Sequence, residues 1–274
     1  WRGCAGLRAA PACTSWEASV RPTGRSGRNI TCCCSAMRAA RDPLRFFELM
    51  NFYTGQNPPP ADETALAELF KTAGVGPGAQ LPDDPDLRAA ICQGAADAQA
   101  IINARLSAGS LRNGWRVPDP AAGLAGPYLL RRAVLEATQM GIVPLEEAMY
   151  FFAYRDGENR PLHGSGRCTL TFQAGELPPL NEYGFWSLTM FNDVSLLVDN
   201  PANRYIIRPG SSDLRFSPDG SLTLYIQMEK PEGVPDGNWL PAPADAFNVA
   251  LRVYQPQQAV VAGAWFPPGL RRIG

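Results

Sequence analysis

The stretch Asn238-Trp239-Leu240-Pro241-Ala242-Pro243, with the run Phe247 to Tyr254 after it, decides the fold of this 274-residue chain. Each proline fixes φ at about −65° and biases the preceding residue toward extended backbone, so the loop has one geometry. In the following run, Val249, Leu251 and Val253 alternate with other side chains, which is the period of a β-strand with one buried face. A rigid polar loop on a β scaffold is a frequent place for a binding site.

The period of two recurs from about residue 146 to the end of the chain. The turn signals Asp156-Gly157, Pro218-Asp219-Gly220 and Pro235-Asp236-Gly237 separate the runs. Many short antiparallel strands at this spacing predict a jelly-roll-like β-sandwich over residues 146–274. The predicted strands are Ala148–Tyr154, Gly166–Phe172, Gly184–Phe191, Tyr205–Ile207, Leu214–Phe216, Leu222–Met228 and Phe247–Tyr254, with Ser195–Leu197 as an eighth candidate.

Residues 42–145 have the spacing of helices instead. Helices are predicted to begin at Pro43, at Asp62 and at Asp83 or Asp84, and a last one covers Tyr128 to Met140. Asn113-Gly114-Trp115 is interpreted as a turn. The fold class that follows is α+β, with a helical segment before an antiparallel sandwich.

Residues 1–41 differ in composition from the rest of the chain. They hold seven Arg and a single acidic residue, Glu17, and show no hydrophobic periodicity. Two interpretations stay open: an organellar transit peptide, or translated non-coding or unstructured sequence. The first residue is Trp1 rather than Met, which favours a fragment or a conceptual translation. The compartment is left undetermined.

Composition excludes several classes of function. The formal net charge is −1, whereas a dedicated nucleic-acid binder normally has a basic face. No window approaches 18 consecutive apolar residues, so no membrane span is expected. His163 is the only histidine, which excludes His-rich metal sites, and neither a metal nor a cofactor is expected. His163 is interpreted as a solvated loop residue, and Cys168 as a buried structural thiol rather than a nucleophile.

A series of motifs gives the β region a specific resemblance. It resembles the family called domain of unknown function 1214, which usually forms the C-terminal half of proteins whose N-terminal half is the companion family 1254. The resemblance implies a jelly-roll-like sandwich over roughly residues 146–272, without an N-terminal companion domain, and it brings no catalytic residues. The matching stretches are Ala153–Asp156, Phe185–Met190, Val198–Tyr205, Asp219–Gln227, Asn238–Pro243, Leu251–Tyr254 with Pro256, and Trp265–Pro268.

Polar and aromatic side chains recur along the predicted strands and loops. Arginine offers a bidentate fork for carboxylates and tryptophan a stacking face, so such a set can line a cleft for a small polar or anionic ligand. The predicted ligand-binding residues are Trp186, Asn203, Arg204, Tyr205, Gln227, Asn238, Trp239, Arg252 and Tyr254, with Ser187 and Asn200 in the wider set.

Other interpretations of the same residues stay open. In one of them, these residues serve only to support turns and the core. Alternatively, the chain is a hydrolase-type enzyme whose site lies between the sandwich and an absent N-terminal domain, or a structural module that forms homo-oligomers. The sequence does not decide whether the protein is an enzyme.

Overall fold

The computed structural model describes residues 42–273 except 108–109, 125, 127, 139–142 and 212. It is an α+β fold, as predicted. The described residues fall into two compact units, one up to Asn103 and one from Ala104. The predicted extension at residues 1–41 lies outside the described residues. The helices are α1 Pro43–Gln56, α2 Thr64–Lys71, α3 Pro85–Ser107, α4 Leu129–Thr138 and α5 Gln258–Val261, with short 3-10 turns at Ala61–Glu63 and Asp236–Asn238.

Two of the three predicted helix starts, at Pro43 and at Asp84, are confirmed, whereas Asp62 caps no helix because it lies in a 3-10 turn and α2 begins at Thr64 without a side-chain cap. The carboxylate of Asp42 accepts a 3.2 Å hydrogen bond from the N–H of Arg45 before α1 begins at Pro43. Asp84 does the same for α3, since its carboxylate accepts the N–H groups of Asp86 and Leu87. A side-chain acceptor at this position satisfies N–H groups that have no partner inside the helix. Local chemistry therefore determines where both helices begin.

A buried asparagine organises the first unit. Asn51 in α1 is 3% exposed, and its amide group donates to the carbonyl oxygens of Gly74 and Ala79. Its carbonyl oxygen accepts the N–H of Gly76 at 2.7 Å. One side chain thus replaces the missing backbone partners of a glycine-rich loop, which is how buried polar groups are normally satisfied.

The second unit holds two sheets. Within the described residues, one sheet has the order β1-β2-β3-β9-β5-β6 and the other has the order β10-β4-β7-β8. All neighbouring strands are antiparallel except β7 and β8, which are parallel. The strands are β1 Leu111–Arg112, β2 Trp115–Arg116, β3 Ala148–Ala153, β4 Cys168–Phe172, β5 Leu180–Asn192, β6 Ile206–Ile207, β7 Leu222–Gln227, β8 Trp239–Pro241, β9 Phe247–Pro256 and β10 Arg271–Arg272.

Both sheets contribute to one hydrophobic cluster. Val249, Leu251 and Val253 of β9 belong to it together with Leu224 of β7, and all four are fully buried. Trp186 of β5 lies against Phe172 of β4, with ring centroids 6.1 Å apart. Because successive strand residues point to opposite faces, the intervening residues of β9 lie on the outer face of the six-stranded sheet.

Two predicted strands are wrong. In both places an asparagine side chain bonds to backbone groups that a neighbouring strand would otherwise bond. Leu214–Phe216 is a loop, since the N–H and carbonyl of Arg215 bond to the side chain of Asn238. Ser195–Leu197 is a turn region in which the side chain of Asn192 accepts two backbone N–H groups, and Ser195 has φ 61°.

Four short strands were not predicted: β1, β2, β8 and β10. The turn predicted at Asn113-Gly114 is present, but it joins β1 to β2, and Trp115 is a strand residue. Trp115 is 0% exposed, and its indole N–H donates to the carbonyl of Pro268 at 2.7 Å. Part of the segment predicted as helical therefore belongs to the sheet.

Candidate functional site

Six of the nine predicted ligand-binding residues fall into two groups. The first group, the Arg204 cluster, comprises Arg204, Asp213, Gln227, Asn238 and Trp239. Arg204 precedes β6 at one edge of the six-stranded sheet, and its guanidinium bonds to the carboxylate of Asp213 at 3.1 Å and to the carbonyl of Trp239 at 3.3 Å. Since Trp239 lies in β8 at an edge of the other sheet, Arg204 joins the two sheet edges.

The other polar groups of the Arg204 cluster also have protein partners. The amide of Asn238, which is 4% exposed, bonds to the backbone of Arg215 and Thr223. The amide nitrogen of Gln227 donates to Glu229, and the indole N–H of Trp239 donates to the carbonyl of Gln227. The hydrogen-bonding groups predicted to meet a ligand here therefore hold loops and strands in place.

A shallow cavity lies beside this cluster. Its volume of about 200 Å³ is below the range of about 300–1,000 Å³ that is usual for ligand pockets. Asn238 and Thr223, which line it, are the same residues that fix the neighbouring loop. Its lining residues are Arg215, Phe216, Ser217, Thr223, Tyr225, Gly233, Val234, Pro235 and Asn238.

The three remaining residues of the predicted ligand-binding set have structural roles. Trp186 is 2% exposed and belongs to the core. Asn203 has φ 47° and closes a turn by donating its N–H to the carbonyl of Asn200. The hydroxyl of Tyr205 lies 3.3 Å from a carboxylate oxygen of Asp199. Burial raises the pKa of Tyr205, and the Asp199 charge raises it further.

The second group lies on the outer face of the six-stranded sheet. We call it the Arg252 face and define it by Tyr150, Ser187, Thr189, Phe191, Arg252 and Tyr254. Arg252 of β9 is directly opposite Tyr150 of β3 and Ser187 of β5 in the sheet register. Tyr254 stacks on Phe185 with centroids 4.4 Å apart. Two of the predicted residues, Arg252 and Tyr254, are therefore together here.

Arg252 is held in place but keeps most of its hydrogen-bonding capacity. Its guanidinium donates one hydrogen bond, to the hydroxyl of Thr189 at 2.9 Å, and lies over the rings of Phe191 at 5.4 Å and Tyr150 at 5.8 Å. Among the described residues, no acidic side chain forms an ion pair with it. An arginine has five N–H donors, so four remain for a ligand or solvent.

Ser187 adds a second hydrogen-bonding group to the Arg252 face. It is 3% exposed, and across the part of the chain with assigned structure its hydroxyl has no hydrogen-bond partner. Burial raises the pKa of Tyr150, and neighbouring Tyr254 raises it further, although Arg252 opposes both. The phenol beside Arg252 is therefore neutral at neutral pH, and the face has a positive charge at Arg252.

The remaining candidates for chemistry have structural roles. Asp156 is fully buried; burial acts to raise its pKa, but hydrogen bonds from Arg160 and Glu158 outweigh that effect and lower it. Burial raises the pKa of the Cys168 thiol, although the charge of Arg272 partly opposes it. The His163 ring accepts the N–H of Ser165 and lies 3.1 Å from its hydroxyl, and in the described residues no carboxylate bonds to the ring to orient this pair. The raised pKa of Cys168 is the opposite of the low pKa that a nucleophilic thiol needs.

The described residues contain neither a candidate metal site nor a membrane-spanning helix. No three His, Cys, Asp or Glu side chains come close enough together there to hold a metal ion. In that same part of the chain, none of the helices combines the length and the apolar composition needed to cross a bilayer.

The stretch that contains β3 to β9 and the Arg252 face matches a known family. Residues 147–258 match the model of the family described as Protein of unknown function (DUF1214). This stretch is a DUF1214 domain. It contains β3 to β9, and therefore both the Arg204 cluster and the Arg252 face.

Solved structures give the DUF1214 domain a likeness in fold. The crystal structure of the VPA0106 protein from Vibrio parahaemolyticus has a TM-score of 0.53 and 20% sequence identity, over 93% of this chain and 59% of that one. At this identity the likeness concerns the fold alone, and the chain spans 59% of that protein's length. An uncharacterised protein from Burkholderia cenocepacia has a TM-score of 0.36 and 14% identity, over 78% of this chain and 49% of that one, which supports no conclusion. Among curated proteins, none matches this sequence.

Sequence reasoning missed three members of the Arg252 face in the DUF1214 domain. Tyr150, Thr189 and Phe191 lie in strands that were predicted, but nothing local distinguishes them from other outward residues. The signal that identifies them is the pairing of β3 and β5 with β9. Alternation alone gives the face of each residue, whereas the register gives its neighbours.

Proposed function

We propose that this chain is a ligand-binding module in which the Arg252 face holds the carboxylate of a small anion. The observation that carries the proposal is a partly buried guanidinium, fixed by Thr189 and two aromatic rings, that has no carboxylate partner among the described residues. Charges away from water are normally paired, and arginine is well suited to binding a carboxylate through two N–H groups.

Ser187 supports the same proposal. Its hydroxyl lies on the strand next to Arg252 and directly opposite it, at the distance that separates neighbouring strands. A carboxylate has two oxygens, so one can accept from the guanidinium and the other from the hydroxyl. The positive face and its aromatic border favour an organic anion over a neutral ligand.

The proposed architecture is a jelly-roll-like sandwich over residues 146–274, to which β1 and β2 add two short strands from the preceding, mainly helical segment. In this arrangement the core lies between the sheets and the Arg252 face lies on the outside. The contribution of both sheets to one hydrophobic cluster supports it. The Arg204 cluster is assigned the structural role of joining the sheet edges, since its polar groups have protein partners.

A titration with acetate at constant ionic strength tests the proposed carboxylate binding. The backbone N–H resonance of residue 187, opposite Arg252 in the sheet register, is expected to shift in a saturable way in a ¹H–¹⁵N spectrum. Arg252→Met should abolish the effect, and Ser187→Ala should weaken binding by about tenfold, the range for a hydrogen bond to a charged group. Arg271→Met removes an exposed arginine from the other sheet and serves as the matched control. Linear shifts that are equal in the wild type and in Arg252→Met would contradict the proposal.

A further inference from the structure

The Arg252 face extends toward a second arginine, Arg208. β6 pairs with β5 so that Ile206 is opposite Thr189 and Ile207 is opposite Leu188. Ile207 belongs to the core and is 1% exposed, whereas Ile206 is 43% exposed. Arg208 follows directly after β6, and continuing the alternation and register of β6 by one residue would bring it to the outer face, level with Ser187.

Arg208, like Arg252, has no acidic partner among the described residues. It is exposed, and within the described ranges its guanidinium forms no hydrogen bond or ion pair. Arg204, four residues earlier, is paired with Asp213. Two arginines with unused donors therefore stand on either side of the Ser187 hydroxyl, one on β9 and one just beyond β6.

The spacing of the two arginines limits the ligand. β9 and β6 are separated by β5, and neighbouring strands lie about 4.8 Å apart, so the two Cα lines are roughly 10 Å apart. Each guanidinium can bind a carboxylate through two parallel hydrogen bonds. Two carboxylates on a short carbon chain place one negative charge near each arginine, whereas a monocarboxylate leaves one arginine unused.

We infer that the ligand of this face is a short-chain dicarboxylate, bound by Arg252 and Ser187 at one end and by Arg208 at the other. The inference rests on the proposed anion-binding function and names the substrate class for that same site. The side chain of Ile206 lies on the same outer face, opposite Thr189 in the row next to Ser187, and offers an apolar border for the carbon chain.

The inference is tested by comparing the affinities of glutarate, acetate and inorganic phosphate at equal ionic strength. Calorimetry and the chemical shift of the backbone N–H of residue 187 measure these affinities. Glutarate is expected to bind at least tenfold more tightly than acetate, which corresponds to about 1.4 kcal/mol. Arg208→Gln should remove this preference, so that glutarate and acetate bind to the variant with affinities within about twofold of each other. Arg271→Gln, the matched change at an exposed position on the other sheet, should leave both affinities unchanged.

The other outcomes are distinguishable. If acetate binds and glutarate binds no more tightly, the dicarboxylate inference is wrong and the anion-binding function stands. If phosphate binds more tightly than glutarate, a single dianionic group is the ligand chemistry, and the inference is overturned. If no anion gives a saturable, Arg252-dependent signal, the proposed function itself fails. Because Arg208 is exposed and outside any strand, its substitution tests charge rather than folding.

Discussion

The indole N–H of Trp239 donates a 2.9 Å hydrogen bond to the backbone carbonyl of Gln227, across the parallel pair of β7 and β8. The same carbonyl also accepts the N–H of Ala242 at 3.1 Å. Trp239→Phe therefore removes a donor without leaving the acceptor unpaired. We expect it to lower the free energy of unfolding by about 1 kcal/mol in urea titrations. A loss above about 3 kcal/mol would contradict this account of the indole.

Asn238 should matter more than its neighbour, since its side chain fixes two separate segments. Asn238→Ala leaves the backbone N–H and carbonyl of Arg215 and the carbonyl of Thr223 without their partner. We expect a loss of about 3 kcal/mol in the free energy of unfolding. Asn181→Ala removes one exposed side-chain bond, to Pro256, and serves as the control with a loss below about 1 kcal/mol. Equal losses in the two variants would count against the role of Asn238.

Asp156 makes stability depend on pH in a defined direction. Its folded-state pKa lies below the ordinary 3.8, because hydrogen bonds from Arg160 and Glu158 outweigh the effect of burial. A group with a lowered folded-state pKa contributes its full stability above the unfolded-state pKa and loses it as pH falls through the folded-state value. Wild type should therefore lose more stability than Asp156→Asn on acidification from about pH 5 to pH 3. Urea midpoints at each pH measure this, and parallel profiles would refute it.

Asn51 should control the glycine-rich loop of the first unit. The N–H of Gly76 bonds to the Asn51 side chain and is otherwise outside regular structure. In Asn51→Ala we expect the Gly76 amide to exchange with deuterium at least tenfold faster, since its acceptor is gone. Asn57→Ala, at an exposed position just after α1, should leave that rate unchanged. An unchanged exchange rate of the Gly76 amide in both variants would show that the loop keeps its conformation without the Asn51 side chain.

Cys168 should resist alkylation in the folded protein. Burial raises the pKa of its thiol, and the side chain is 1% exposed, whereas Cys92 is partly exposed. Since the thiolate is the reactive form, iodoacetamide at pH 8 should label Cys92 before Cys168. Peptide mass spectrometry in time course measures this order, and both sites should react equally in denaturant. Faster labelling of Cys168 in the native state would overturn its assignment as a structural thiol.

Local sequence signals predicted the long elements of this fold. The alternation of Val249, Leu251 and Val253 predicted β9, and Pro85 after Asp84 predicted the start of α3. The short strands escaped prediction because their pairing comes from distant partners. Trp239–Pro241 is a strand only because β7 lies beside it, and its proline is typical of a loop.

The candidate site depended even more on distant contacts. Arg204 and Arg252 have the same chemistry in the sequence, and both were predicted to meet a ligand. Asp213 pairs with the first, whereas Thr189, 63 residues away, fixes the second and leaves its remaining donors free. Alternation indicates which face a residue occupies, but the identity of its neighbours follows from strand register, which no local pattern contains.

The strands at the sheet borders have one further consequence. Within the described residues, β1, β6 and β10 have two residues each, and β8 has three and includes Pro241. A bordering strand this short presents few open N–H and carbonyl groups, and proline removes one more, so another chain has little backbone on which to add a strand. Within the described residues, the outermost strands therefore contribute little to edge-to-edge growth, whereas the longer strands β5 and β9 carry the aromatic and β-branched residues typical of amyloid-like aggregation.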